Sequence, residues 1–193
     1  VQGDAGKKVS DEVVDTYTSL TSQLIMSGPT TDAQRKSVTS VYTAMHGVGW
    51  KTLQSVFSAS GFNEPNAALE QRDPDPAFPT VAFPNPEEKG ALDIAIALAK
   101  KNSVDILLAN DPDADRFAAA APTSSGDWTT LRGDQIGSLI GWWIIERAKL
   151  TGTQLSGTFA NSIVSSMMLE SIAKSAGLQY ESTLTGFKWV SRV

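Results

Sequence analysis

The stretch Asp105-Ile106-Leu107-Leu108-Ala109-Asn110 constrains the fold of this chain most. Four consecutive apolar residues are too few for a helix of ordinary length. A run of that length between polar ends reads as a strand covered on both faces. Before it, Glu87–Lys101 carries Leu92, Ile96 and Ala99 at helical spacing, which predicts a helix. After it, Phe117–Ala121 and Trp128–Leu131 read as two further strands, joined by a turn at Ser124-Ser125-Gly126-Asp127. A helix feeding a buried strand that opens into a loop is the signature of an α/β domain.

The pattern extends in both directions. Ser10-Asp11-Glu12 predicts a helix start, with acids at the positive end of the dipole. Val13, Tyr17, Leu20, Leu24 and Met26 continue that helix until Gly28-Pro29. Ser37–Met45 alternates and is rich in β-branched residues, which predicts a strand. His46-Gly47-Val48-Gly49 then makes a sharp turn into a helix with Leu53, Val56 and Phe57 on its apolar face, ending at Gly61. Five prolines between Asp73 and Pro86 forbid a helix or central strand there and predict an extended loop. Asp134 is read as the cap of a helix through Ile136, Leu139, Ile140, Trp143 and Ile144. Trp142 and Trp143 in that helix are expected in the core. Thr151-Gly152 reads as a domain boundary, followed by strand (Gln154–Phe159), helix (Ile163–Ala176) and strand (Tyr180–Leu184). The strands from Gln154 and Tyr180 are expected to lack later partners and to leave a sheet edge.

Composition excludes several classes of function. With 41% hydrophobic and 19% charged residues, the 193-residue chain is of ordinary globular type. A net charge of −5 argues against a nucleic-acid partner, which requires clustered Lys and Arg. The absence of cysteine removes thiol catalysis, disulfides and Cys-ligated zinc, and fits a cytoplasmic location. No apolar run approaches the roughly 18 residues of a membrane span, so no membrane partner is expected. The N-terminus, Val1 to Lys8, has no signal-type apolar segment and no initiator Met, which predicts a fragment or a processed product.

The chemistry is concentrated in Asp111-Pro112-Asp113-Ala114-Asp115-Arg116. Three carboxylates at alternate positions, rooted in a buried strand, can turn their oxygens toward one point. Mg2+ takes such hard oxygen ligands and leaves room for a phosphate oxygen. Arg116 adds a planar fork suited to phosphate or carboxylate. A solvated acidic turn is the plain alternative, but it does not require this alternation. An EF-hand fails, because its sixth and twelfth positions would be Arg116 and Pro122. A phosphatase with an Asp nucleophile and a metal-dependent sugar-nucleotide transferase are the catalytic rivals. A non-catalytic divalent-metal-binding α/β module is the rival from another class.

Other residues carry weaker signals. His46 is the only histidine, and its plain role is to tie down a glycine turn. Gly47-Val48-Gly49 can present N–H groups to an anion, or simply permit a tight strand-to-helix turn. It is not a P-loop, because Trp50 separates it from Lys51-Thr52. Arg132-Gly133-Asp134 spells an adhesion tripeptide but reads as a turn and a helix cap. Lys188 taken alone is a surface lysine.

Taken together, the motifs resemble the α-D-phosphohexomutases, the phosphoglucomutase and phosphomannomutase group. Asp111 to Arg116 is similar to that family's metal loop. Ala44-Met45-His46-Gly47-Val48-Gly49 resembles the opening of its second domain. Phe78-Pro79-Thr80 and Pro84-Asn85-Pro86-Glu87 resemble the loop before its domain-two helix. Leu131 to Gly137 resembles the segment closing that domain, and Leu184-Thr185-Gly186-Phe187-Lys188-Trp189 the domain-three loop that enters the active site. The resemblance implies a three-layer mixed-sheet α/β domain followed by a partial domain of similar kind. Residues 1–39 would be a leading helix and linker from the end of domain 1, 40–149 the metal-binding domain 2, and 150–193 the start of domain 3. It implies Mg2+ on Asp111, Asp113 and Asp115, with Arg116 orienting phosphate and Lys188 facing the transferring phosphate. The implied substrate is a hexose phosphate, whose 1- and 6-phosphates interconvert through a phosphoserine and a bisphosphate. The family's phosphoserine loop, of Thr-Ala-Ser-His-Asn-Pro type, its Gly-Glu-Glu type sugar loop and its phosphate-gripping C-terminal domain have no counterpart in this sequence. The expectation is a central fragment, inactive alone.

Overall fold

A computed structural model describes residues 10–193. The Val1 to Lys8 reading lies outside them. The chain forms two compact units, divided between Phe117 and Ala118.

In the first unit, α1 (Asp11–Met26) packs against α3 (Gly49–Ala59). Val13, Tyr17, Leu20 and Leu24 nevertheless remain more than half exposed. The expected strand from Ser37 begins later, as β1 (Ser40–Thr43), because a short helix α2 (Asp32–Ser37) precedes it. Thr31 and Gln34 form a reciprocal capping box at the start of α2. Such caps contribute about 1 kcal/mol, enough to turn an ambiguous stretch helical. Arg35, buried at the end of α2, pairs with Asp32 and donates to the Thr30 carbonyl.

All four residues of β1 are buried, and it pairs in parallel with β2 (Asn66–Ala67) and β3 (Ile106–Asn110). Val41 lies opposite Leu107 and Thr43 opposite Ala109. Parallel strands covered on both faces explain the unbroken apolar run. Tyr42 stacks on Trp50 of α3, with ring centroids 6.1 Å apart.

The proline-rich stretch is loop and turn, as its composition demands. The following helix is shorter than expected: α4 runs Asp93–Asn102, not from Glu87. The Asn85 side chain accepts from the Glu87 N–H, its carbonyl accepts from Glu88, and Gly90 sits at φ +85°. These contacts place residues 87–92 in turns. Ala95 and Ala99 carry the buried face of α4, and Ile96 is half-buried.

In the second unit, β4 (Phe117–Pro122, entered from the first unit) pairs antiparallel with β5 (Trp128–Thr130). Helix α5 spans Gly133–Thr151, and its N-cap position is Arg132, not Asp134. Asp134 sits in the first turn and pairs with Arg132 at 3.2 Å. The expectation that Trp142 and Trp143 are core fails: they are 49% and 39% exposed. The buried face of α5 runs instead through Ile136, Ser138, Gly141, Ile145 and Ala148. Gly141 is where Leu169 and Phe159 come close.

Beyond α5 the order is β6 (Thr158–Ser162), α6 (Met168–Ser175), β7 (Gln179–Thr183) and α7 (Phe187–Val190). The expected strand at Gln154–Phe159 is thus displaced toward the C-terminus, and the helix from Ile163 starts at Met168. β6 and β7 pair with each other in parallel over five residues and with no later strand among the described residues, so the expected open sheet edge is present. No helix among the described residues is long and apolar enough to cross a membrane.

Candidate metal centre

The acidic loop leaves β3 at Asn110 and is held from several sides. The Asn110 side chain donates to the Arg116 carbonyl at 2.6 Å and accepts from the Tyr42 hydroxyl at 3.0 Å. Within the loop, Ala114 N–H donates to the Asp111 carbonyl at 3.0 Å, and Ala114 adopts φ +61°. Arg116 N–H donates to Asp111 Oδ1 at 2.8 Å. These bonds curl six residues so that alternate side chains face the same way.

Asp111, Asp113 and Asp115 each offer a carboxylate oxygen, and these oxygens all lie within 4.8 Å of one another. Asp111 is buried; the other two are exposed. Burial, the largest cause, pushes the Asp111 carboxyl above its ordinary value. The Arg116 N–H pulls it back, while the charges of Asp113 and Asp115 push the same way as burial. Burial and then Asp111 push the Tyr42 hydroxyl up to about 12. A cation in the loop would relieve this repulsion directly. Three carboxylate oxygens from one short loop, one of them shielded, make a donor set that fits a hard divalent cation with open positions for other oxygens.

Arg116 is exposed, with Nε 3.8 Å from Asp111 Oδ2 and 4.0 Å from Asp115 Oδ1. Its guanidinium therefore sits at the rim of the acidic cluster with most of its donors open to solvent. Lys188 belongs to the second unit. It lies on the single-turn helix α7, with Nζ 5.6 Å from the centre of the Trp189 ring.

The loop is also buttressed by the turn after β1. The Val48 N–H donates to the Pro112 carbonyl at 2.9 Å. A Cβ on Gly47 would stand 2.2 Å from the Pro112 Cα, so only glycine allows this approach. The Gly47 N–H is bonded to the Ala44 carbonyl. The N–H groups of Gly47 and Val48 are thus both used internally and are not offered to an anion. Met45 and His46 hold φ of +47° and +60°. Each such residue costs about 1–2 kcal/mol, which the surrounding contacts must offset. His46 Nε2 lies 2.8 Å from Thr80 Oγ1, and Gln71 Nε2 donates to the same oxygen at 3.0 Å. Gln71 carries no signal in the sequence, and Thr80 only as part of the Phe78-Pro79-Thr80 motif, since a polar residue declares its partner only once the chain is folded.

Comparison with known proteins agrees with this picture. The phosphoglucomutase/phosphomannomutase α/β/α domain II matches residues 15–125, and domain III of the same family matches residues 132–193. A probable phosphomannomutase of Haemophilus influenzae is 45% identical over 185 residues, covering 96% of this chain and 36% of that protein. The phosphopentomutase of Homo sapiens is 48% identical over 155 residues, covering 78% of this chain and 25% of its own length. The chain thus spans about a third or less of these relatives. The crystal structure of Aspergillus fumigatus N-acetylphosphoglucosamine mutase, in complex with GlcNAc-6P and magnesium, superposes with a TM-score of 0.64. At 15% identity, covering all of this chain and 38% of that one, it shows a shared α/β fold. Two consecutive domain matches, joined to the same order of motifs, establish that the chain belongs to the phosphoglucomutase/phosphomannomutase family, the α-D-phosphohexomutases.

Proposed function

We propose that these residues are the metal-carrying part of a Mg2+-dependent sugar-phosphate mutase that interconverts hexose 1-phosphate and hexose 6-phosphate in the cytoplasm. The observation that carries this reading is the convergence of the Asp111, Asp113 and Asp115 oxygens within 4.8 Å in a braced loop. Those three carboxylates would hold the cation. When bound, Mg2+ supplies charge neutralisation at the transferring phosphoryl group. Arg116 presents its planar fork beside the carboxylates, where it orients a phosphate oxygen by paired hydrogen bonds. Lys188 supplies a second cation for the charge that develops during transfer.

The phosphoryl carrier in this reading is a phosphoserine, which passes its group to the sugar and regains one from the bisphosphate. No serine within residues 1–193 sits in a loop of that type, so the chain alone has no turnover. We take the metal-carrying domain as the one matched over residues 15–125 and the next as the one matched over 132–193, both beginning earlier than the expected 40 and 150. The mutase names of the relatives and the magnesium in the fungal mutase structure support a phosphosugar substrate and this metal. A pentose phosphate is the second reading of the substrate, favoured by the 48% identity to human phosphopentomutase.

Magnesium titration by calorimetry tests the metal site. Saturable heat is expected for the chain and none for a variant with all three aspartates changed to Asn; equal heats would remove the site. A coupled assay with glucose 1-phosphate, Mg2+ and a bisphosphate activator tests the rest. Turnover by the chain that disappears in Asp113→Asn would show a phosphoryl carrier within these residues.

A further inference from the structure

The turn that braces the acidic loop is itself held by a line of hydrogen bonds that begins on Met45 and ends on its neighbour His46. Met45 N–H donates to Thr43 Oγ1 at 3.1 Å, and Thr43 Oγ1 donates to Gln71 Oε1 at 2.7 Å. The other end of that amide, Gln71 Nε2, donates to Thr80 Oγ1 at 3.0 Å. Thr80 Oγ1 lies 2.8 Å from His46 Nε2. Thr43 and Gln71 are fully buried, and His46 nearly so. The direction of the line follows from its middle. The Gln71 carbonyl oxygen already accepts from Thr43, so its NH2 must donate to Thr80. The Thr80 oxygen, which can accept twice and donate once, also meets the imidazole Nε2. The backbone repeats the clasp: His46 N–H donates to the Gln71 carbonyl at 2.8 Å, and Asp75 N–H donates to the His46 carbonyl at 3.0 Å.

We propose that His46 is a positioning residue for the acidic loop, its ring tied through Nε2 to Thr80. Through the line Thr43–Gln71–Thr80 it holds the left-handed backbone of Met45 and His46. That backbone sets Gly47 and Val48 against Pro112, the residue between Asp111 and Asp113. Thr43 and Gln71 are buried, so their polar ends depend on these partners, while Thr80 closes the line at the exposed end. Removing one link leaves the turn free to leave its strained conformation, and the support under Pro112 goes with it. The inference deepens the proposed function, resting on the metal reading of the three aspartates.

Thr80 gives the cleanest test, because it touches neither the acidic loop nor the strained backbone. Thr80→Val keeps the shape and removes the hydroxyl; Thr80→Ser keeps the hydroxyl. Magnesium affinity by calorimetry should fall about tenfold in Thr80→Val, as is usual when the support behind metal ligands is removed. It should stay near the parent value in Thr80→Ser. His46 is the only histidine of the chain, so its ring nitrogens are read without overlap in a long-range 1H–15N spectrum. The Nε2 shift should move in Thr80→Val and stay near the parent value in Thr80→Ser. A parent chain that binds magnesium while Thr80→Val binds it equally well overturns the inference and leaves the metal site standing. An Nε2 shift unmoved in Thr80→Val overturns it too, since the ring would then not be held by that hydroxyl. A parent that shows no magnesium binding overturns both the inference and the metal reading beneath it.

Discussion

The two segments expected to carry chemistry are built in different ways. The acidic loop of the first unit follows a strand paired in parallel with a fully buried one, accepts a hydrogen bond at Pro112 from the turn after β1, and is tied at both ends by Asn110. The segment around Lys188 in the second unit is one turn of helix, with Phe187 85% exposed and the ammonium near only its neighbour Trp189 among ring contacts. A metal site must bring like charges together before the cation arrives, so its own unit has to offset that repulsion. A cation that meets a phosphate has no such cost and can stand on a short exposed turn. The depth of support therefore follows the electrostatic cost of each group's placement.

The largest effect expected from breaking this contrast is that of Gly47→Ala. Its Cβ would meet Pro112 backbone at 2.2 Å, and backbone cannot step aside as a flexible side chain can. The expected loss is about 3 kcal/mol of unfolding free energy, the upper end for overpacked sites, together with magnesium binding. Urea unfolding and calorimetry check both. A variant of parental stability that still binds the metal would show that the turn does not brace the loop.

The next effect separates the two cations. Lys188→Met should leave magnesium affinity and stability of the chain unchanged, since surface substitutions stay within about 0.5 kcal/mol. In a full-length enzyme carrying these residues it should lower kcat about a hundredfold, as removal of one transition-state donor does. Arg116→Lys should lower turnover by a smaller factor, because the charge persists and only the fork is lost. Unchanged kcat and KM in either variant would assign that residue a purely structural part.

The smallest effect concerns the root of β3. Asp105 accepts from the Thr39 backbone N–H at 2.8 Å and from its hydroxyl at 2.7 Å. The Thr39 side chain first, then its backbone, holds the carboxyl below its ordinary value. A depressed folded value adds stability above the unfolded value of 3.8, and this is lost as pH falls through the lower folded one. Asp105→Asn should therefore flatten the acid limb of a stability–pH curve below 3.8 and leave the metal site alone. An unchanged acid limb would show that the tie between the starts of β1 and β3 is unimportant.

Much of this was legible before folding, and for local reasons. Ile106–Ala109 had to be a covered strand because nothing polar interrupts it, and the alternation of Asp111, Asp113 and Asp115 put three acids at its exit. Thr31 and Gln34 also carried a readable capping signal, which the β-branched run from Ser37 masked. The start of α4 was misread because the Glu87–Lys101 spacing is helical while the Asn85 turn and Gly90 override it.

The sequence by itself determined the α/β alternation, the proline-rich loop and the acidic cluster, because each depends on residues within a few positions of one another. Only the tertiary structure decided which face of α5 is buried, since Ile136, Ile145 and Ala148 compete with Trp142 and Trp143 on the same helix. It alone paired Gln71 and Thr80 with His46, across 25 and 34 positions of chain. A polar side chain has no preferred partner at such a distance until burial strips it of water and makes an unsatisfied group costly. The partner is then whichever donor or acceptor the packed backbone brings within reach.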